Sequence, residues 1–136
     1  ADSCAYKSTD AGVSWFYSGS GLGGGSKVMR SIAANQSVAS TVYAIDSRGL
    51  FKTINGGSNW FASNYGINIA NINTIGVSPS TSRISYTESY GVGVCKSTDF
   101  GSSWSLLPTP LTCGNICAFA VHNTDPNTVL GLEGTG

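Results

Sequence analysis

The sequence predicts an all-β fold of three propeller-type blades, each of four short antiparallel strands, in one domain over residues 1–136. Three observations carry this. A short motif recurs at residues 8–15, 53–60 and 97–104, with its central polar residue at positions 10, 55 and 99. A period of about 45 residues is that of stacked or radially arranged supersecondary units. Glycine is abundant, at 18 of 136 residues, and Ser, Thr and Asn fill much of the rest, as in short strands joined by many turns. Short apolar runs also align from repeat to repeat, and no stretch carries a helical period.

Each copy of the motif reads Ser/Thr, x, Asp/Asn, x, Gly, x, x, Trp. The copies contribute Asp10, Gly12 and Trp15; Asn55, Gly57 and Trp60; and Asp99, Gly101 and Trp104. A short Asp or Asn side chain accepts hydrogen bonds from backbone amides a few residues on and so fixes a turn. Glycine supplies a positive φ without steric cost. The tryptophan opens the next strand and is expected to be buried between blades at an equivalent place in every repeat.

The other strands follow in order. Residues 4–8 lead into the first motif, and Trp15–Ser18 leave it. The Gly-rich stretch 18–26 reads as a long loop, without the helix and Lys-Ser/Thr pair of a phosphate cradle. The first strand of a repeat is Ser31–Ala34, Thr74–Val77 and Ala118–Val121. The second is Val42–Ile45, Ile84–Thr87 and Val129–Leu132. The third is Tyr6–Lys7, Leu50–Lys52 and Val94–Lys96, each ending on a lysine expected to lie on a solvated face. In this frame the chain is cut mid-blade. Residues 129–136 supply a second strand, residues 4–15 a third and fourth, and joining them head to tail, or adding a missing remainder, completes a blade.

The motif resembles the Asp-box, S/T-x-D-x-G-x-[ST]-W, of β-propellers such as sialidases, sortilin-type receptors and certain glycoside hydrolases. The first and third copies match closely; the middle one departs at Thr53, Asn55 and Asn59. In those families the box is a structural turn, on the face away from the active site, so the resemblance implies a fold more than an activity.

Seven basic residues balance seven acidic ones, which argues against electrostatic binding of nucleic acid or a membrane surface, and no apolar run is long enough to span a bilayer. Asp46, Glu88 and Glu133 align at the end of the second strand. On the face opposite the boxes they would form a ring of carboxylates, able to serve acid–base cleavage of a glycoside or to accept sugar hydroxyls. Their repetition in every blade favours a turn-forming role, so no residue is assigned as catalytic. Tyr17, Tyr65 and Tyr90, with Arg48, are candidates for stacking on or binding a sugar. Cys4, Cys95, Cys113 and Cys117 permit three disulfide pairings, with buried free thiols as the alternative. Lone His122 is a strand-end residue, and no metal or cofactor is expected. Asn35-Gln36-Ser37 is a glycosylation sequon in an expected surface turn. The reading is a non-catalytic module of an extracellular or cell-surface setting, for self-assembly or for glycan or protein binding. Its partners are copies of itself head to tail, or further blades of a longer chain. The alternative is a portion of a glycoside hydrolase propeller acting on a polysaccharide.

Overall fold

The computed structural model describes residues 5–23, 25, 27–67, 72–108 and 116–134. It is all-β. Strands β1 (Tyr6–Lys7) and β2 (Phe16–Tyr17) form one antiparallel pair. Strands β3 (Met29–Ala34), β4 (Val42–Asp46), β5 (Gly49–Thr53) and β6 (Phe61–Ala62) form a first full blade. Strands β7 (Ile72–Val77), β8 (Ser85–Ser89), β9 (Gly93–Ser97) and β10 (Ser105–Leu106) form a second. Strands β11 (Ile116–Val121) and β12 (Val129–Glu133) are a final pair. Each full blade is a meander in chain order. The first strands β3, β7 and β11 lie next to one another across the blade junctions. The chain is thus two complete propeller-type blades flanked by an N-terminal half-blade of third and fourth strands and a C-terminal half-blade of first and second strands.

The middle strands bury both faces. Tyr43 and Ile45 of β4 point toward the second blade and pack with Leu50, Ile72, Ile75, Cys95 and Trp104. Ala44 points the other way, into a cluster with Ala5, Leu22, Phe51 and Trp60. Successive side chains alternate between faces, so one strand serves two blade junctions and reads as a continuous apolar run. Leu22 is buried in that second cluster and anchors the Gly-rich stretch, whose residues Ser20, Gly21, Gly23 and Gly25 are exposed; residues 24 and 26 lie outside the described set.

The three boxes fold alike. The hydroxyl oxygens of Ser8, Thr53 and Ser97 accept from the amides of Gly12, Gly57 and Gly101 at 2.8, 3.0 and 2.8 Å. The Oδ1 atoms of Asp10, Asn55 and Asp99 accept from the amides of Ser14, Asn59 and Ser103, each at 2.9 Å. Asn55 therefore makes the same backbone bond as the two aspartates. Ala11, Gly56 and Phe100 all take positive φ, at 57°, 65° and 61°. For Phe100 that conformation is held from both sides across the structure. Its amide donates to the Arg83 carbonyl at 3.1 Å, and its carbonyl accepts from Lys52 Nζ at 2.5 Å.

That last bond corrects the expectation of a solvated face at Lys52, whereas Lys7 is exposed as expected. Lys52 is half-buried, and its ammonium ties one blade to the box of the next. Burial lowers its pKa, with the Asp99 carboxylate acting in the opposite direction. The tryptophans make a second tie. The indole N–H of Trp60 donates to the Ser18 carbonyl at 2.7 Å, and that of Trp104 to the Ser63 carbonyl at 3.0 Å. Both are 4% exposed. Trp15 departs from the expected burial: it is 61% exposed and turns its N–H onto Gly12 of its own box.

Candidate functional site

The two half-blades each leave a cleft at the junction with the neighbouring full blade. The C-terminal cleft holds about 500 Å³. Its walls are Tyr86, Val94 and Leu107 of the second blade and Ile116, Phe119 and Val129 of the half-blade, with Lys96, Asn127 and Glu133 as polar members. The N-terminal cleft holds about 280 Å³ and runs between β1 and the first full blade, along Lys7, Trp15, Ile32, Val42 and Gly57. Beside these clefts lie exposed apolar strand residues: Tyr6, Phe16 and Tyr17 at one end, Leu130 and Leu132 at the other. Tyr17 stacks edge-on against Tyr6, with ring centroids 6.3 Å apart.

The carboxylate ring is broken by register. Asp46 pairs with Gly49 across a turn of two residues, whereas Ser89 pairs with Gly93 across a turn of three. The glycine that matches Gly49 is therefore Gly93, not Gly91, and both stand at φ 127°. Glu88, opposite Val94, consequently occupies the place of Ile45, opposite Leu50, and points to the other face of its blade. Glu133 does match Asp46, through the pairs Ile116–Glu133 and Met29–Asp46. The three acids have three environments. Asp46 is buried under an ion pair with Arg48, whose backbone amide also donates to Oδ1 at 2.7 Å. Glu88 is buried beside Ile116; burial raises its pKa against the hydrogen bond from the Ile116 amide, and Oε2 has no hydrogen-bond partner among the described residues. Glu133 is exposed on the C-terminal cleft.

The candidate sugar-binding residues do not share one surface. Arg48 and Tyr90 lie in equivalent turns between second and third strands, but Arg48 is committed to Asp46 and the Leu22 carbonyl, with its guanidinium over the Phe51 ring at 4.8 Å. Tyr65, after β6, lines a separate cleft of about 260 Å³ with Lys52 and Phe61. Tyr17 is exposed on β2, directly opposite Tyr6.

Two further expectations are corrected. Asn35 is 1% exposed; its Nδ2 donates to the Ser82 carbonyl of the next blade at 2.9 Å, and its Oδ1 accepts from Ser37 and Val38. In the folded chain this amide is an inter-blade bond and leaves no open path for a glycan. Cys95 and Cys117 stand as free thiols, one buried and one exposed, so no disulfide occurs among the described residues. Cys4 and Cys113 lie outside that set. His122 fixes the turn after β11. Its Nδ1 accepts from the amides of Thr124 and Asp125, as the Asn35 and Ser78 side chains do in the equivalent turns.

Two boxes contribute to acid sensitivity, as does Asp125, whose carboxyl the Thr128 side chain and the Asn127 amide hold below its ordinary value. Hydrogen bonds from the side chain and then the backbone of Ser103 hold Asp99 below its ordinary value of 3.8, at about 2, and Ser14 does the same for Asp10. A carboxyl depressed in the fold contributes stability that is present above its unfolded value and lost as pH falls through its folded one. Stability is therefore expected to fall between about pH 4 and pH 2, and the doubly substituted Asp10→Asn, Asp99→Asn chain to show a shallower fall. Equal acid slopes in urea titrations of the two chains would contradict this. Asn55 shows that an amide keeps the essential backbone bond.

No family model and no curated protein sequence matches the chain. Among solved structures it is similar to YCF48 from Cyanidioschyzon merolae, with a TM-score of 0.60 and 22% sequence identity. The similarity covers 79% of this chain and 31% of YCF48, so the chain spans about a third of that protein's length. At this identity the likeness shows the β-propeller-type fold alone.

Proposed function

We propose that the chain is a non-catalytic propeller module that works by association, its half-blades completed by strands supplied from outside the described residues. The supplier is another copy, head to tail in a ring or a filament, or further blades of a longer polypeptide. One observation carries the reading: one end presents first and second strands, the other third and fourth, and each exposes the apolar face that the missing half would cover. Unpaired strand edges are templates for strand addition. The boxes then serve as Asp-box turns of the assembled propeller. The separate environments of Asp46, Glu88 and Glu133 favour this over a share in a glycoside hydrolase. Low charge supports an extracellular or cell-surface setting, and exposed Tyr65 and Tyr90 leave carbohydrate or protein contact to the loops of the assembly.

Light scattering on the purified chain tests it. Particles larger than one chain are expected at micromolar concentration, and deletion of 129–136 is expected to reduce them to monomers. A stable, cooperatively folding monomer from the intact chain would defeat the self-assembly form of the reading.

A further inference from the structure

We infer that the C-terminal cleft is the seat of Trp15 and Tyr6 of a second copy, whose β1 pairs antiparallel with β12 in the register Val129–Ser8, Leu130–Lys7, Gly131–Tyr6 and Leu132–Ala5. The inference rests on the assembly reading and adds to it the register and the anchor.

The two complete blades supply the template. In the first, Val42 pairs with Thr53, Tyr43 with Lys52, Ala44 with Phe51 and Ile45 with Leu50. In the second, Ser85 pairs with Ser97, Tyr86 with Lys96, Thr87 with Cys95 and Glu88 with Val94. Strand β12 maps onto β4 through its partner, because Val121 pairs with Val129 as Ala34 pairs with Val42. Strand β1 maps onto β5 through the box that follows it and through a shared bond: the amides of Ser18, Ser63 and Leu107 donate to the carbonyls of Ala5, Leu50 and Val94. Both maps are internal to the chain, and together they leave one register.

The same map says what fills the cleft. At the junction of the two full blades, Cys95 and Trp104 of the later blade pack against Tyr43, Ile45 and Leu50 of the earlier one. At the C-terminal cleft the wall is Tyr86 and Val94, the counterparts of Tyr43 and Leu50. The counterparts of Cys95 and Trp104 are Tyr6 and Trp15, which are 58% and 61% exposed in the single chain. Rings of this size bury roughly 150–250 Å² each, which is why such residues dominate interfaces.

Polar groups agree at three points. Trp60 and Trp104 give their indole N–H to the carbonyls of Ser18 and Ser63; Leu107 supplies the matching carbonyl for Trp15. Lys52 reaches the Phe100 carbonyl, and Lys96, on the cleft wall, is placed to reach that of Ala11. Ser40 and Arg83 offer their carbonyls to the amides of Gly56 and Phe100, and Asn127 stands in the same position for Ala11. The reciprocal contact is as specific. Tyr43 lies against Gly101, and its counterpart Leu130 would lie against Gly57, which lines the N-terminal cleft. One heterologous contact thus closes both clefts.

Paired cysteines read the register. Directly opposite residues of an antiparallel pair hold their Cβ atoms roughly 4.5–5.5 Å apart, close to disulfide reach. Lys7→Cys with Leu130→Cys, in a background of Cys4→Ser, Cys113→Ser and Cys117→Ser, is expected to give interchain disulfides on a non-reducing gel. Tyr6→Cys with Leu130→Cys, one residue out of register and on the opposite face, is expected to give at least about ten-fold less. Light scattering of the reduced proteins separates the two ideas. Assembly without a bridge, or with bridging equal in both pairs, overturns the register and leaves the assembly reading intact. Monomers throughout overturn both. A bridge within one chain overturns the second copy as partner. Trp15→Ala, exposed in the single chain, is expected to weaken association by about ten-fold or more while leaving the fold unchanged; undiminished assembly would remove Trp15 as the anchor.

Discussion

Trp60→Ala is expected to lower the stability of the chain by about 3–5 kcal/mol, whereas Trp15→Ala lowers that of the single chain by less than about 1 kcal/mol. The two residues end equivalent boxes, so local turn chemistry is the same and only the junction differs. Trp60 is 4% exposed in a cluster with Leu22, Ala44 and Phe51 and donates its N–H to the Ser18 carbonyl. Alanine there removes the ring, leaves a cavity between blades and strips a backbone acceptor of its partner. Trp15 is 61% exposed, and its N–H is given to Gly12 within its own box. Urea denaturation of the two variants, at a concentration where only monomers are present, makes the comparison. Equal losses would mean that the box tryptophan acts on its own turn and not on the junction.

What the sequence makes legible is whatever repeats without insertion. The boxes, the four-strand blade and the alternation of third strand, box and fourth strand can be read because Ser8, Thr53 and Ser97 hold the same place, and so do the three tryptophans. The carboxylate ring failed for the opposite reason. Gly91 lies as far beyond Glu88 as Gly49 lies beyond Asp46, and nothing in the letters says that Tyr90-Gly91-Val92 is one residue longer than Ser47-Arg48. A single residue in a turn reverses the face of every side chain before it. Lys52 and Asn35 failed differently. Their types suit solvent, and only the stacking of blades brings the Phe100 and Ser82 carbonyls within reach. Contacts between repeats leave no mark on the period within a repeat. The exposure of Trp15 follows from the position of its blade in the stack, which the motif itself does not encode.

Gly66→Ala is expected to lower stability by about 3 kcal/mol or more, and Gly91→Ala by only about 1–2 kcal/mol. Both glycines take positive φ, at 87° and 73°, so both substitutions meet the left-handed backbone penalty. They differ in space. A Cβ on Gly91 meets nothing within 4 Å, but a Cβ on Gly66 falls 2.1 Å from the Trp104 carbonyl oxygen, which is backbone and cannot swing aside. The neighbouring Tyr65 carbonyl accepts from the Trp104 amide at 3.0 Å, so relieving the clash stretches that bond. It also disturbs the seat of the indole, which donates to Ser63. The arrangement is a rule of the junction, since a Cβ on Gly21 would lie 2.2 Å from the Trp60 carbonyl and the Ser20 carbonyl accepts from the Trp60 amide. Glycine is required there because the loop leaving one blade passes directly over the box tryptophan of the next. Urea midpoints of the two variants separate strain from overlap. If Gly66→Ala costs no more than Gly91→Ala, the junction yields freely at that point, and the close approach of loop and tryptophan is not what holds the blades together.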